Sequence, residues 1–166
     1  RNALVSFGNG SDVSANSMVL FGTCSFATTN GIFSSGIEVK PSAFLSLNTA
    51  SLSGGNLVVD GGGIFQQTNA QQLAFSSVFV QPGGLLTHAA NSTTRAAILN
   101  LNVSGDFNLS QGATIYLDGL GYAGGSAQQA PSGQGPGFGP GGGSAGGYGS
   151  GAGGGHGGAG GNGDGS

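Results

Sequence analysis

The clearest pattern in the chain is a short phrase of apolar and small residues that recurs along its first two-thirds. Two apolar positions flank a variable residue, then come two turn-forming residues, two small residues, a variable residue and a further apolar position. The phrase begins at Val19, Ile37, Leu57, Val78 and Phe107. The first four starts are 18, 20 and 21 residues apart, and the last interval is 29 residues. A period of about 20 residues with strand-like content is typical of a coil that stacks on itself.

Each period holds a third apolar cluster besides the two within the phrase, for example Ile32-Phe33 and Leu73-x-Phe75. Three short strands per turn predict a parallel β-helix, with apolar residues stacked inside. We expect an all-β fold of about five short coils over residues 1–118, and an incomplete first coil starting at Val5. The small pair marks a corner where left-handed or bulged backbone favours glycine.

The spacing also predicts where the coil is interrupted and where asparagines stack. The longer interval before Phe107 indicates a loop insertion, which we assign to the polar stretch Thr87–Arg95. Asn30, Asn48 and Asn69 fall at nearly the same distance after their phrase starts. They are candidates for an amide ladder, and the alternative is that asparagine simply recurs in turns.

Composition divides the chain near residue 119. Residues 119–166 hold 24 of the 38 glycines and almost no aliphatic side chains. We predict a second segment over 119–166, with extended polyproline-II or polyglycine strands held by neighbouring backbone. The glycines show no strict three-residue period, which excludes collagen.

Charge is sparse and limits the classes of partner. Only 5% of residues are charged, and the three cations are Arg1, Lys40 and Arg95. Three scattered cations cannot neutralise a tract of phosphates, so we expect no nucleic-acid partner. No apolar stretch approaches about 20 residues, so we expect no membrane span. Because the first residue is arginine, we expect a processed product or a piece of a longer chain.

The segment from Val103 to Leu117 resembles the coils of extracellular right-handed β-helix proteins such as autotransporter passenger domains and filamentous adhesins. The resemblance covers residues 19–118 and implies a location outside the cell or on its surface. The glycine-rich segment is similar in composition to those of microbial and protist surface proteins, flagellar-hair (mastigoneme) proteins among them.

A search for chemistry finds no catalytic, cofactor-binding or metal-binding site. Enzymes that cleave polysaccharides need clustered carboxylates, whereas the six acids are spread along the chain. Asp60 and Lys40 lie near equivalent positions of successive coils and predict a surface ion pair. His88 falls in the inferred loop and His156 among glycines, so neither has the partners that zinc requires. The lone Asn162-Gly-Asp164 sequence lacks the repeats of a calcium site.

The remaining candidate residues concern packing and modification. Cys24, the only cysteine, occupies a small-residue slot of the phrase, so we expect a buried thiol; an intermolecular disulfide is the alternative. Four N-glycosylation sequons occur, at Asn9, Asn91, Asn102 and Asn108. Asn91 lies in the inferred loop.

These features favour a structural role over catalysis. The leading hypothesis is a building block of an extracellular filament or cell-surface appendage that self-associates and carries attached glycans. The alternative is an adhesin or carbohydrate-binding module that uses a flat β-face or the Thr87–Arg95 loop. An ice-binding β-helix would need a regular row of threonines on one face. Thr28, Thr49, Thr68 and Thr87 instead fall at different distances after the starts of their phrases. A polysaccharide lyase would need the missing carboxylate cluster.

Overall fold

In the computed structural model the described residues are 6–7 and 12–123, and they form strands without any helix. Within this part of the chain the strands are β1 (Ser6–Phe7), β2 (Asp12–Leu20), β3 (Thr23–Val39), β4 (Phe44–Val59), β5 (Ile64–Gln67), β6 (Leu73–Val80), β7 (Leu85–His88), β8 (Leu101–Val103), β9 (Phe107–Leu109) and β10 (Thr114–Ile115). All of their pairings are parallel. They build a β-solenoid of about four turns, which confirms the predicted fold class.

The chain divides into two compact units. One comprises Arg1–Ala89 and Ala97–Tyr116 and contains the solenoid; the other comprises Ala90–Ala96 and Leu117–Ser166. Within the described part of the second unit, the backbone N–H and side-chain Nδ2 of Asn91 both donate to the Leu120 carbonyl, at 3.0 and 3.1 Å. The predicted extended packing of residues 124–166 lies outside the described residues.

The core of the solenoid is a set of side-chain columns that run from coil to coil. In-register pairing stacks one inward position of each coil on the next, because parallel strands about 4.8 Å apart bring equivalent residues together. One such column is Met18, Ile37, Leu57, Val78 and Phe107. Another is Cys24, Leu45, Phe65, Leu86 and Ile115. Most members between the end coils are fully buried.

Register corrects two details of the sequence interpretation. Val19 pairs with Glu38 and points outward, so the first phrase begins at Met18 and not at Val19. Met18, Val19, Leu20 and Phe21 are all apolar, so the alternation of apolar and polar residues could not show which of them face inward. Cys24 is buried as predicted, but it pairs with Leu45 in an apolar column. Its assignment to the small-residue slot was wrong.

The small pair of the phrase forms a stacked column of tight turns. In each turn the N–H of the fourth residue donates to the carbonyl of the first, as from Ala43 to Lys40 at 2.9 Å. The third residue has positive φ: 63° at Ser42, 79° at Gly62, 82° at Gly83 and 84° at Gly112. This is the geometry of a type II turn, which explains both the glycines and the prolines that precede two of these residues. The turn column confirms the predicted left-handed corner.

A second corner depends on glycine for a different reason. Gly36 has φ of 125°, and a Cβ placed on it would lie 1.9 Å from the carbonyl oxygen of Asn56. The pairing register shifts between Phe33 and Gly36, which marks a β-bulge. The phrase gave no indication of this corner, because it lies between two apolar clusters.

The insertion is present but is displaced from its predicted start. Gln67 pairs with His88, and Leu73 pairs with Leu101. The second pair is farther apart along the chain than the first. The added residues therefore lie between His88 and Leu101, whereas Thr87 and His88 belong to β7 and are buried.

Replacing glycine by alanine should cost different amounts of unfolding free energy at the two corners. Gly112→Ala, with no atom within 4 Å of the new Cβ, should lose only the cost of left-handed backbone, about 1–2 kcal/mol. Gly36→Ala adds a backbone collision, so we expect a larger loss of unfolding free energy, or no folded protein. Urea denaturation followed by circular dichroism measures both variants. Equal losses would contradict the close approach at Gly36.

Candidate functional site

Charged residues gather at one outer corner of the solenoid. Lys40 Nζ contacts a carboxylate oxygen of Glu38 and lies 3.2 Å from Asp60 Oδ2. The hydrogen bond to Glu38 is the largest cause that raises the pKa of Lys40, and Asp60 acts in the same direction. The predicted pair of Lys40 and Asp60 is thus confirmed. Glu38 was missed, although it lies near the end of β3, two residues before Lys40, and residues two apart in extended backbone lie on the same face.

Among the described residues, no other acid forms an ion pair with Lys40. Asp12 Oδ1 accepts a hydrogen bond of 2.8 Å from Asn30 Nδ2, and Asp106 and Asp118 are exposed. Over residues 12–123 no group of three or more His, Cys, Asp or Glu side chains is placed to hold a metal ion. The Asn162–Asp164 sequence lies outside the described residues, as does His156.

A third corner contains buried polar side chains in place of apolar ones. Gln67 is fully buried; its Nε2 donates to the Gln71 carbonyl at 2.5 Å, and its Oε1 accepts from the Asn100 N–H at 2.9 Å. His88 pairs with Gln67 in the next coil, and its Nδ1 lies 2.7 Å from the Ala89 carbonyl. These bonds satisfy backbone groups where the strands are interrupted. The expectation that His88 sits in an exposed loop was wrong, because its strand continues through it.

The predicted asparagine ladder has two members and not three. Asn69 Nδ2 donates to Asn48 Oδ1 at 3.0 Å, whereas Asn30 pairs with Ser51 and reaches Asp12. Threonines lie next to these asparagines. Thr28 Oγ1 donates to Thr49 Oγ1 at 3.1 Å, and both threonines are buried. These two threonines therefore contribute to no exposed row.

The candidate glycosylation sites differ in accessibility. Asn102 and Asn108 are exposed in β8 and β9. Asn91 is half-buried and its Nδ2, the atom a glycan would modify, donates to the Leu120 carbonyl. Asn9 lies outside the described residues. Among the described sequons, Asn102 and Asn108 are therefore the most accessible, and glycosylation of all four stays a prediction.

The last coil forms an edge at which apolar side chains of the core columns are exposed. Phe107, Leu109 and Ile115 continue columns whose members one coil earlier are fully buried, yet they are 45%, 42% and 40% exposed. Leu101 and Val103 are partly buried at the same edge. Of the described strands, β8 and β9 pair only with β6. Among the described residues, this edge combines apolar side chains with strand backbone that pairs on one side alone, and such edges in β-proteins are sites of association.

The first coil presents the opposite edge. Here β2 pairs with β3 alone among the described strands. Val13 and Met18 are partly buried against the core, and Leu20 is buried. The two edges of the solenoid are therefore the first and last members of the same columns.

Comparisons with known proteins find no match to a family model, a curated protein or a solved structure. The geometry of the solenoid therefore carries the functional proposal. Over the described residues there is no helix long and apolar enough to cross a membrane.

Removing the buried amide of Gln67 should destabilise the third corner. Gln67→Leu removes the hydrogen bonds to the half-buried Asn100 and to the carbonyl of the exposed Gln71, and each lost bond costs about 0.5–1.5 kcal/mol. Gln66→Leu changes the adjacent, less buried position and should cost much less. The unfolding free energy in urea compares them; equal effects would show that Gln67 does not hold the corner.

Burial should make Cys24 unreactive. Desolvation raises the pKa of the Cys24 thiol above its ordinary value of 9.0, which depletes the reactive thiolate. We expect slow modification by a thiol reagent in the native protein just below that pH and fast modification in denaturant, measured by mass spectrometry. Fast native labelling would contradict the burial.

The raised pKa of the Cys24 thiol makes the stability of the fold depend on pH. The unfolded chain releases the thiol proton at lower pH than the folded chain, because the folded-state pKa of Cys24 is raised. Its contribution to stability is therefore constant below pH 9.0 and decreases above it. The difference in unfolding free energy between the parent and Cys24→Ala isolates this contribution. A difference that grows in favour of the parent above pH 9.0 would reverse the sign.

Proposed function

We propose that this protein is a structural building block of an extracellular or cell-surface filament, which assembles by stacking its β-solenoid. The observation that carries the proposal is the edge of the last coil. Three side chains that belong to core columns stay 40–45% exposed there, beside strand backbone that no described strand pairs. Natural β-proteins protect such edges or use them to associate.

The use of polar groups supports a structural role. Gln67, Thr49 and Asn69 bond to backbone or to the next coil, and Lys40 links carboxylates of two coils. These groups hold corners and do not converge on a cleft. We therefore propose no catalytic activity for the described solenoid.

The extracellular location rests on the resemblance to surface β-helix proteins and on composition. A chain with 5% charged residues and 38 glycines is unusual for an ordinary soluble domain. The glycine-rich segment would add backbone packing between subunits, and exposed asparagines would accept glycans in a secretory compartment.

An adhesin or carbohydrate-binding module is the second candidate. A shallow cleft of about 310 Å³ lies on one outer face, lined by Ser17, Glu38, Asn56 and Val58 among others. Hydroxyl, carboxylate and amide groups beside apolar surface are the groups that bind sugars. Phe21, which is 73% exposed, follows the strand that contributes Val19 to this cleft.

Assembly is directly testable with the purified chain. We expect concentration-dependent linear assemblies in light scattering after size exclusion and in negative-stain images. Because the joint is apolar and hydrogen-bonded, added salt should not dissociate them. A monomer at every concentration would overturn the filament proposal, and selective glycan binding by that monomer would favour the adhesin.

A further inference from the structure

We propose that copies join head to tail, with the β8–β9 edge of one copy pairing in parallel with the β2 edge of the next. This proposal rests on the filament function and specifies its joint. Each of these strands has one paired side among the described residues, β2 with β3 and β8–β9 with β6. The open side of the last coil has the direction and hydrogen-bond pattern that the open side of the first coil accepts, because all pairings of the described strands are parallel.

The side-chain columns match across this joint. Following the register through the molecule, the positions that would meet are Leu101 with Val13, Val103 with Ala15, Phe107 with Met18 and Leu109 with Leu20. Every pair is apolar on apolar. The joint would bury the exposed Phe107 and Leu109 as the interior coils bury Val78 and Val80.

The bulged corner does not obstruct the joint. The last coil takes four steps along the chain from Val103 to Phe107, and the first coil takes three from Ala15 to Met18. Within the chain, the longer corner of β3 already stacks on the shorter corner of β4, in the same order as at the joint. The register shift needed at the joint is one that the backbone already makes.

A polar pair would add a hydrogen bond at the joint. Asn100 precedes β8 at the position that Asp12 occupies before Val13, so the two would stack. Asn30 already donates to Asp12 Oδ1 at 2.8 Å from the other side. A carboxylate has two acceptor oxygens, so Asp12 can also accept from Asn100 Nδ2.

A head-to-tail joint propagates, whereas a two-fold joint ends at a dimer. Two last-coil edges facing each other would pair antiparallel, whereas every pairing among the described strands is parallel. Head-to-tail stacking repeats the pairing of the interior coils along β2. On the β1 side, Ser6 of the next copy would fall on the position that Tyr116 takes above Thr87, so β1 must leave its place on β3 at the joint.

Cysteine cross-linking tests the register. Val19 and Asn108 are exposed, outward-facing members of one column and would be direct neighbours across the joint. Paired Cα atoms about 4.8 Å apart fall within the range of a disulfide. In the full chain, Val19→Cys with Asn108→Cys should give a ladder of covalent oligomers on mild oxidation. Mixing the two single variants should give only the heterodimer.

The controls distinguish this joint from others. Val19→Cys with Asn102→Cys combines positions of different columns and should give no ladder; the parent measures any contribution of Cys24. A covalent dimer of Asn108→Cys alone would indicate a two-fold joint and overturn the proposal. Assemblies that form without the 19–108 link would overturn the register but leave the filament function, whereas absence of assembly would overturn both.

A charge at the joint tests the apolar columns independently. Leu109→Asp places a carboxylate where Leu20 of the next copy would pack, so we expect loss of assembly with retained strand signal in circular dichroism. Asn102→Asp adds the same charge on the outward face of β8 and should leave assembly unchanged. Assembly that persists in Leu109→Asp would overturn the proposed edge, including the case in which residues 124–166 occupy it.

Discussion

In-register stacking of coils is the constraint on which the rest of this structure depends. Each residue of an interior coil must fit the equivalent residues above and below it, because parallel pairing fixes them about 4.8 Å apart. Apolar side chains then accumulate in continuous columns, such as the one that contains Ile37, Leu57 and Val78. A coil that is missing a neighbour leaves the same columns exposed. Stability and the proposed association therefore have one origin.

The corners limit how such a coil can close. At the type II turn the third residue needs positive φ, and the turns hydrogen-bond along the stack, from Gly62 N–H to the Gly83 carbonyl at 2.9 Å for example. At the bulge, Gly36 approaches the backbone of the next coil too closely for any side chain. The third corner tolerates insertion, because buried amides such as that of Gln67 replace the lost backbone pairing. The large change in coil length is thus confined to one corner.

The sequence alone predicted the repeat, the parallel solenoid, the left-handed turn and the Lys40–Asp60 pair, since each follows from spacing or from a residue with restricted backbone. It could not assign the register of Met18–Phe21, where four consecutive apolar residues satisfy either face. It placed His88 in a loop because a histidine and a threonine read as polar, whereas the third corner buries polar groups by hydrogen bonding. Gly36 was missed because its role depends on Asn56, a neighbour one coil further along the chain. Long-range contacts of this kind leave no local pattern.

In the proposed joint, the open edge of the last coil would let a chain with so few charges select its partner. Charge patterns normally fix register and direction at a joint. Here the same work falls to geometry: a one-residue shift would turn every apolar side chain outward. A reversed copy would face a strand direction that no pairing of the described strands uses. In the proposed joint, the columns that hold the interior together would therefore suffice to select another end of the same solenoid as partner.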